Sequence, residues 1–559
     1  MNLFARINTK ISTKKRKAGR YLMSLAAGAS ILIMGMVVSG CVNETFSDEK
    51  PSKTPDAEYF MSLSVSVPTE ATRSNTLANG ESSDDRLAGT ANETTVKSAT
   101  IYFCVGDKVK AEIEVNQYIQ TPNSTGNTTL WTKIADLSVF KDLAGEEEVG
   151  IFIVGNASES SLSHDFGTAT GKENDANKAK ITFAGADSAP IEDFGTDGKI
   201  MPLSSAKKFT TDKFKEVPAY DETDPTAYVE AIKGIFSRAT VTNKWWDVNQ
   251  ESTAIQLERA VARIDFKDKD NRAAGEEAWT YKVDSTTDLN IKLYSLQLFN
   301  INKNSYLFRH SSAGSTSNAD ATEGPALFDV ERGNSGYTWV ASHDWTSSNE
   351  GFEKDSDFYN TLTLDETDFN IDGEDTTITI AELTETENNQ PKRALQDNYY
   401  PWCYVSENTL PSVELMTGEE AWKYATGIAF SFTLLDKNGK VLTKTTKAED
   451  YPSCITASTR TEGAITIMDK DANWIDVEPD TNTGEFYITY LAYIVHNDSY
   501  SGMTAPKIPM FYGVVRNNAY QLKVKSVEGL PRANDPESYY LSLQIKVLAW
   551  AKRDINVSF

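Results

Sequence analysis

The 559-residue sequence predicts a mostly β protein made of two β-sandwich domains with few short helices. Three observations lead there. Short apolar stretches, alternating or continuous and strand-like in length, recur along the chain. Polar connections separate them, and few stretches keep a helical period. The length also suits two domains once the N-terminal segments are set aside.

Residues 1–40 stand outside the fold as a signal peptide. Arg6, Lys10, Lys14, Lys15, Arg16, Lys17 and Arg20 form a basic n-region, and Tyr21 to Val38 is an uncharged, largely apolar run long enough to be weighed as a membrane span. The small-residue end Val38-Ser39-Gly40 directly before Cys41 resembles the bacterial lipobox, in which the cysteine is lipidated and becomes the first residue. This favours a lipoprotein signal over a plain anchor or a cleaved secretory signal. Several acyl chains, palmitate among them, hold a protein stably on a membrane, so the predicted precursor leaves the cytoplasm as a membrane-attached lipoprotein.

Residues 41–73 form a lipidated propeptide around one strand. Met61, Leu63, Val65 and Val67 alternate with Ser62, Ser64 and Ser66, which is a strand with one buried and one wet face. Pro68 ends it. The polar run Thr69-Glu70-Ala71-Thr72-Arg73-Ser74-Asn75 then presents Arg73 as a site for a trypsin-like protease, with Arg86 as a competitor between acidic neighbours. Burial of four such side chains is worth about 6–12 kcal/mol, so a groove emptied of this strand demands a substitute. The other end of the chain carries the same pattern. Leu541, Leu543, Ile545 and Val547 alternate with polar residues, and Ile555, Val557 and Phe559 follow to the last residue.

Residues 74–268 are expected to form the N-terminal sandwich. Strands are expected at 96–105 and at 150–156. Asp224-Pro225 reads as the N-cap and first residue of a helix whose Tyr228, Ile232 and Ile235 share a face. A long strand with a local break runs from Ala254 to Phe266, and the charged tract 267–271 marks the boundary. Residues 269–559 form the second sandwich, with strands at 289–300, 426–434 and 485–493, ending in the candidate donor strand.

The formal net charge of −25, more negative still without the basic signal, disfavours nucleic acid and anionic surfaces as partners. With Cys41 taken by lipid, Cys104, Cys403 and Cys454 allow one disulfide at most, and no spacing suits zinc. Asp368 to Asp372 followed by Gly373 has the oxygen spacing of a calcium loop, but Thr379 stands where the bidentate Glu belongs, and acidic turns of this kind are usually just solvated. Trp245-Trp246 reads as a core or interface anchor rather than a sugar platform. The four histidines lie in unrelated contexts, and no catalytic, phosphate or cofactor motif is present, so an enzyme is not expected.

One ordered set of motifs goes further. Cys41, the strand before Arg73, Leu257-Glu258-Arg259-Ala260-Val261-Ala262-Arg263, Asn302-Lys303-Asn304-Ser305-Tyr306-Leu307, Ser406-Glu407-Asn408-Thr409, Val514-Val515-Arg516-Asn517-Asn518-Ala519-Tyr520 and Ile545-Lys546-Val547-Leu548-Ala549-Trp550 together resemble the fimbrilins of Bacteroidetes (type V pili). The nearest likeness is to the shaft subunit of the short, or minor, fimbriae. The match runs in order along nearly the whole chain, with divergent loops.

That resemblance implies transthyretin-like sandwiches and a precursor cut by an extracellular arginine-directed protease. The cut falls between Arg73 and Ser74, the strand Tyr59–Val67 is removed, and a donor strand within Tyr540–Phe559 of a neighbouring copy fills the groove. Such a head-to-tail contact does not close on itself and makes a filament. The implied partners are copies of the chain, fimbrial anchor and tip subunits, and, before cleavage, the outer membrane through the lipid. The implied role is adhesion and biofilm formation from the cell surface. Two alternatives stand beside it: an anchor or tip subunit, or a monomeric surface lipoprotein that binds glycans through Trp245, Trp345 or Trp402.

Overall fold

Apolar strands of this kind bury their side chains only by pairing and stacking, and in the computed structural model they do so around two cores. The model describes residues 59–67, 86–88, 91–115, 118–119, 128–156, 163–165, 175–182, 201–206, 208–236, 246–247, 254–272, 274–284, 287–302, 304–313, 326–327, 338–341, 345–348, 351–354, 377–387, 390–391, 399–410, 425–468, 472, 474–496, 512–531 and 541–551. All of these fall within one compact unit, Asp56–Phe559. The fold is mostly β, as expected.

The first core is enclosed by a ten-stranded sheet. From one edge its order is Lys108–Val115, Ala99–Val105, Val149–Gly155, Leu203–Ser205, Ile255–Arg259, β1 (Tyr59–Ser66), Thr128–Ile134 and Tyr118–Ile119, with Phe209–Thr211 and Trp246–Asp247 pairing beside this path. The Val149–Gly155 strand is buried at every position, as its unbroken apolar run predicts for a central strand. The helix Thr226–Phe236 packs Tyr228, Ile232 and Phe236 into the same core, and Ile235 is only partly buried. Asp224 caps it by accepting a 3.2 Å hydrogen bond from the Thr226 amide.

The second core lies between two sheets. One is β2 (Arg86–Ala88), Leu541–Ala551, Asn518–Val527, Val261–Lys267 and Tyr400–Ser406 in that order; the other runs Thr280–Lys282, Asn290–Phe299, Gly427–Leu434 and Tyr487–Tyr493, with Thr377–Thr379 beside the second of these. Ile264, Phe266, Leu522 and Val524 from the first sheet meet Ile291, Leu296, Phe430, Phe432 and Tyr490 from the second. This is a sandwich, two half-buried sheets sharing one interior. The close approach at Gly427 depends on a missing side chain: a Cβ there would lie 2.2 Å from the Phe299 ring.

The expected break in the 254–266 strand falls at Ala260, between Ile255–Arg259 of the first sheet and Val261–Lys267 of the second. Val261 belongs to the first core and Ala262 to the second, so one stretch of backbone passes from one interior to the other.

Candidate functional site

β1 is a central strand. On one side it runs antiparallel to Thr128–Ile134, from Tyr59 opposite Ile134 to Val65 opposite Thr128. On the other it runs parallel to two separate pieces, with Met61 opposite Trp246 and Val65 opposite Ile255. Met61, Leu63, Val65 and Val67 are each at most 3% exposed, so the buried face predicted from the alternation is the observed one. Ser62 departs from the simple pattern: it is buried too, between Trp131 and Asp247, because a strand flanked on both edges is enclosed more than alternation alone requires.

The wall beneath Met61 is aromatic. Trp246 stacks on Phe103 and meets Phe214 and Phe236 edge to face, and Phe236 stacks on Phe140 with centroids 4.6 Å apart. Trp246 is thus the core anchor expected of it, 3% exposed. β1 thus lies in an apolar groove over this surface, between the edge of Thr128–Ile134 on one side and those of Trp246–Asp247 and Ile255–Arg259 on the other.

Beside the groove lies a second, polar constellation, centred on the passage between the cores. Arg263 donates from Nε and Nη2 to the two oxygens of Asp265 at 2.7 and 2.8 Å, and from Nη1 to Glu93 at 3.1 and 3.3 Å. The Tyr404 hydroxyl donates to Glu93 as well. Arg259 donates from Nε to the Glu93 carbonyl at 2.9 Å and from Nη1 to Asn517 Oδ1 at 2.9 Å. Arg309 pairs with Glu258 through Nε and Nη2. Arg516 reaches Glu407 with Nε at 3.0 Å and the Leu307 carbonyl with Nη1 at 2.8 Å.

All these side chains are buried; Arg263, Arg309 and Arg516 pair with the four carboxylates, and with Arg259 among them the formal charges of the set cancel. Burial drives the Arg259 guanidinium down to about 10, against the pull of Glu93. Arg263 is buried no less, yet Asp265 and Glu93 outweigh that burial and hold its proton more tightly than usual. Burial pushes the Tyr404 hydroxyl well above its ordinary range, and the Glu93 carboxylate adds to the effect.

Four of the sequence motifs converge here: 257–263, 302–307, 406–409 and 514–520. Asn302 Nδ2 donates to the Glu407 carbonyl and Ser406 Oγ to the Asn302 carbonyl, while Asn408 Nδ2 bonds Thr426 Oγ1 and the Asn300 carbonyl. Asn517 adopts a positive φ of 57°, a conformation that asparagine tolerates better than most residues. Sequence reading singled these motifs out without finding their shared place. The available signal was the presence of Glu258, Arg259, Arg263 and Asp265 among the apolar residues of the 254–266 stretch.

Cys41, Arg73, Ser74, Ile555, Val557 and Phe559 lie outside the described residues, as do Asp368 to Asp372. Leu541 is buried and Leu543 partly so, in the Leu541–Ala551 strand that also carries Ile545 and Val547; its backbone pairs antiparallel with Asn518–Val527 of the same chain. Trp402 is 1% exposed, which corrects its place among candidate sugar platforms: it stands on the edge strand Tyr400–Ser406 with its side chain in the second core. Cys104 and Cys403 are buried and Cys454 half-buried, and all three are free thiols. Among the described residues no group of side chains is arranged to hold a metal ion.

Residues 483–556 match the family model described as major fimbrial subunit protein type IV, fimbrillin, C-terminal. The resemblance to fimbrilins read in the sequence is borne out over that stretch. Among solved structures, a fimbrilin of Porphyromonas gingivalis is similar over 88% of this chain and 98% of its own, at 12% identity and a TM-score of 0.35. The tip fimbrial protein Mfa3 of the same species, truncated at its C-terminus, is similar over 88% of this chain and 100% of its own, at 10% identity and a TM-score of 0.28. No curated protein matches.

Proposed function

We propose that this protein is a non-catalytic shaft subunit of a cell-surface fimbrium, exported as a lipoprotein on Cys41, cut between Arg73 and Ser74, and polymerised by strand exchange in support of adhesion. The observation that carries the reading is the position of β1, buried on its apolar face and paired along both edges, in a segment whose only covalent tie to the rest of the fold passes through the polar run containing Arg73. The fimbrillin match of residues 483–556 supports it from the other end of the chain.

Arg86 is the poorer cut site, because it lies within β2 with its backbone paired opposite Ala549, and a protease needs an extended, unpaired substrate. Leu541 to Val547 complete the chain's own sheet. The part that reaches a neighbour first is therefore the tail with Ile555, Val557 and Phe559; Leu541, Leu543, Ile545 and Val547 follow only if their strand leaves Asn518–Val527. Partners on this reading are further copies of the chain, an anchor at the base and a tip.

The test is N-terminal sequencing of protein sheared from the cell surface, with unboiled and boiled samples compared on a denaturing gel. A start at Ser74 and a ladder that collapses on boiling are expected. A start at Ser74 without a ladder moves the chain to the tip. A lipidated start at Cys41 in a single band, with nothing shed, sinks the shaft reading in favour of an anchor or a monomeric surface lipoprotein.

A further inference from the structure

We propose that residues 86–93 are a clasp by which the N-terminal end of the processed chain restrains its own C-terminal strand. β2 pairs in parallel with the far end of Leu541–Ala551, placing Arg86 opposite Ala549, Leu87 opposite Trp550 and Ala88 opposite Ala551. These are the last residues before the 552–559 tail. A three-residue pairing is weak by itself, since each hydrogen bond contributes only about 0.5–1.5 kcal/mol net. It needs an anchor close by.

Glu93 in α1 (Ala91–Thr94) supplies one. It is 1% exposed, it accepts from Arg263 and Tyr404 through its carboxylate, and its carbonyl accepts from Arg259. The next residues are pinned as well: Asn156 donates from Nδ2 to the Thr95 carbonyl at 2.8 Å and accepts from the Lys97 amide at 2.8 Å. With residue 93 fixed and only a short link back to β2, the local concentration of β2 at the strand end is high, on the order of millimolar for such tethers.

The clasp gives the two arginines different consequences. A cut after Arg73 empties the β1 groove and leaves β2 joined to its lead-in; a cut after Arg86 severs β2 within its pairing and loosens the strand end. The restraint on the tail rests on the shaft reading above, whereas the pairing itself does not, and the experiment separates them.

Hydrogen exchange is measured by mass spectrometry on the full unpolymerised chain and on its Leu87→Pro and Glu93→Gln variants. Proline fixes φ near −65°, away from the strand range, and thereby disrupts β2 without touching the buried cluster, so the test survives if Glu93→Gln misfolds. Exchange roughly tenfold faster at 549–551, with 541–545 unchanged, is expected in Leu87→Pro. Unaltered exchange at 549–551, or equal acceleration along the whole strand, overturns the clasp. After arginine-specific digestion, Leu87→Pro forms its ladder severalfold sooner than the parent; an equal or slower rate overturns the restraint. If neither chain makes a ladder, the shaft reading fails and the exchange result alone decides whether the clasp exists.

Discussion

Arg263 holds two carboxylates at once, Asp265 through a bidentate pair and Glu93 through a third nitrogen, and none of the three touches bulk water. Removing one partner from such a set strands the others in a low-dielectric interior, so Arg263→Ala is expected to cost about 3–5 kcal/mol, read from the urea midpoint at constant slope. Pairing it with Asp265→Leu should cost less than the two single changes summed, because one stranded charge is then gone. This cluster was hardly legible in the sequence. Alternation assigns charged positions to a wet face, but the Val261–Lys267 strand has strands on both edges and a core on either hand, so Arg263 and Asp265 have no wet face to occupy. Their partners Glu93 and Tyr404 are too distant in the chain for any spacing rule to link them.

For β1, the period-2 reading was sound because it depends only on local geometry: each aliphatic side chain from Met61 to Val67 is buried. What the period does not encode is which strands come alongside, and so neither the parallel pairing to 246–247 and 255–256 nor the burial of Ser62 was legible. The two faces make a direct prediction. Leu63→Asp should destabilise the precursor by roughly 3 kcal/mol or more, placing an unpaired charge where a leucine is 1% exposed. Ser66→Asp, half-buried at the strand end, should stay within about 0.5 kcal/mol. Thermal melts of the uncleaved chain compare them, and equal losses would mean that the alternation does not govern how this strand is held.

At the scale of the whole molecule, the described residues share one compact unit with two apolar cores, and the first core draws on both sides of the boundary read at 268. Leu307, Phe308 and Tyr404 from the later half enter the first core, and Arg309 and Arg516 reach back to the passage between the cores. A charge cluster shared by both interiors should couple their unfolding. The parent chain is expected to unfold in a single calorimetric transition and Arg259→Ala in two; two transitions in the parent would show that the cluster carries no coupling.

The pairing of β1 also bears on how the chain acquires its shape. Its partners, Thr128–Ile134, Trp246–Asp247 and Ile255–Arg259, all follow it in the chain, the last of them far downstream. β1 thus stays unpaired until the partners downstream of it are present, and loop closure of that length makes its seating slow. The strand held inside the sheet is the first of its group in the chain and among the last that can be seated.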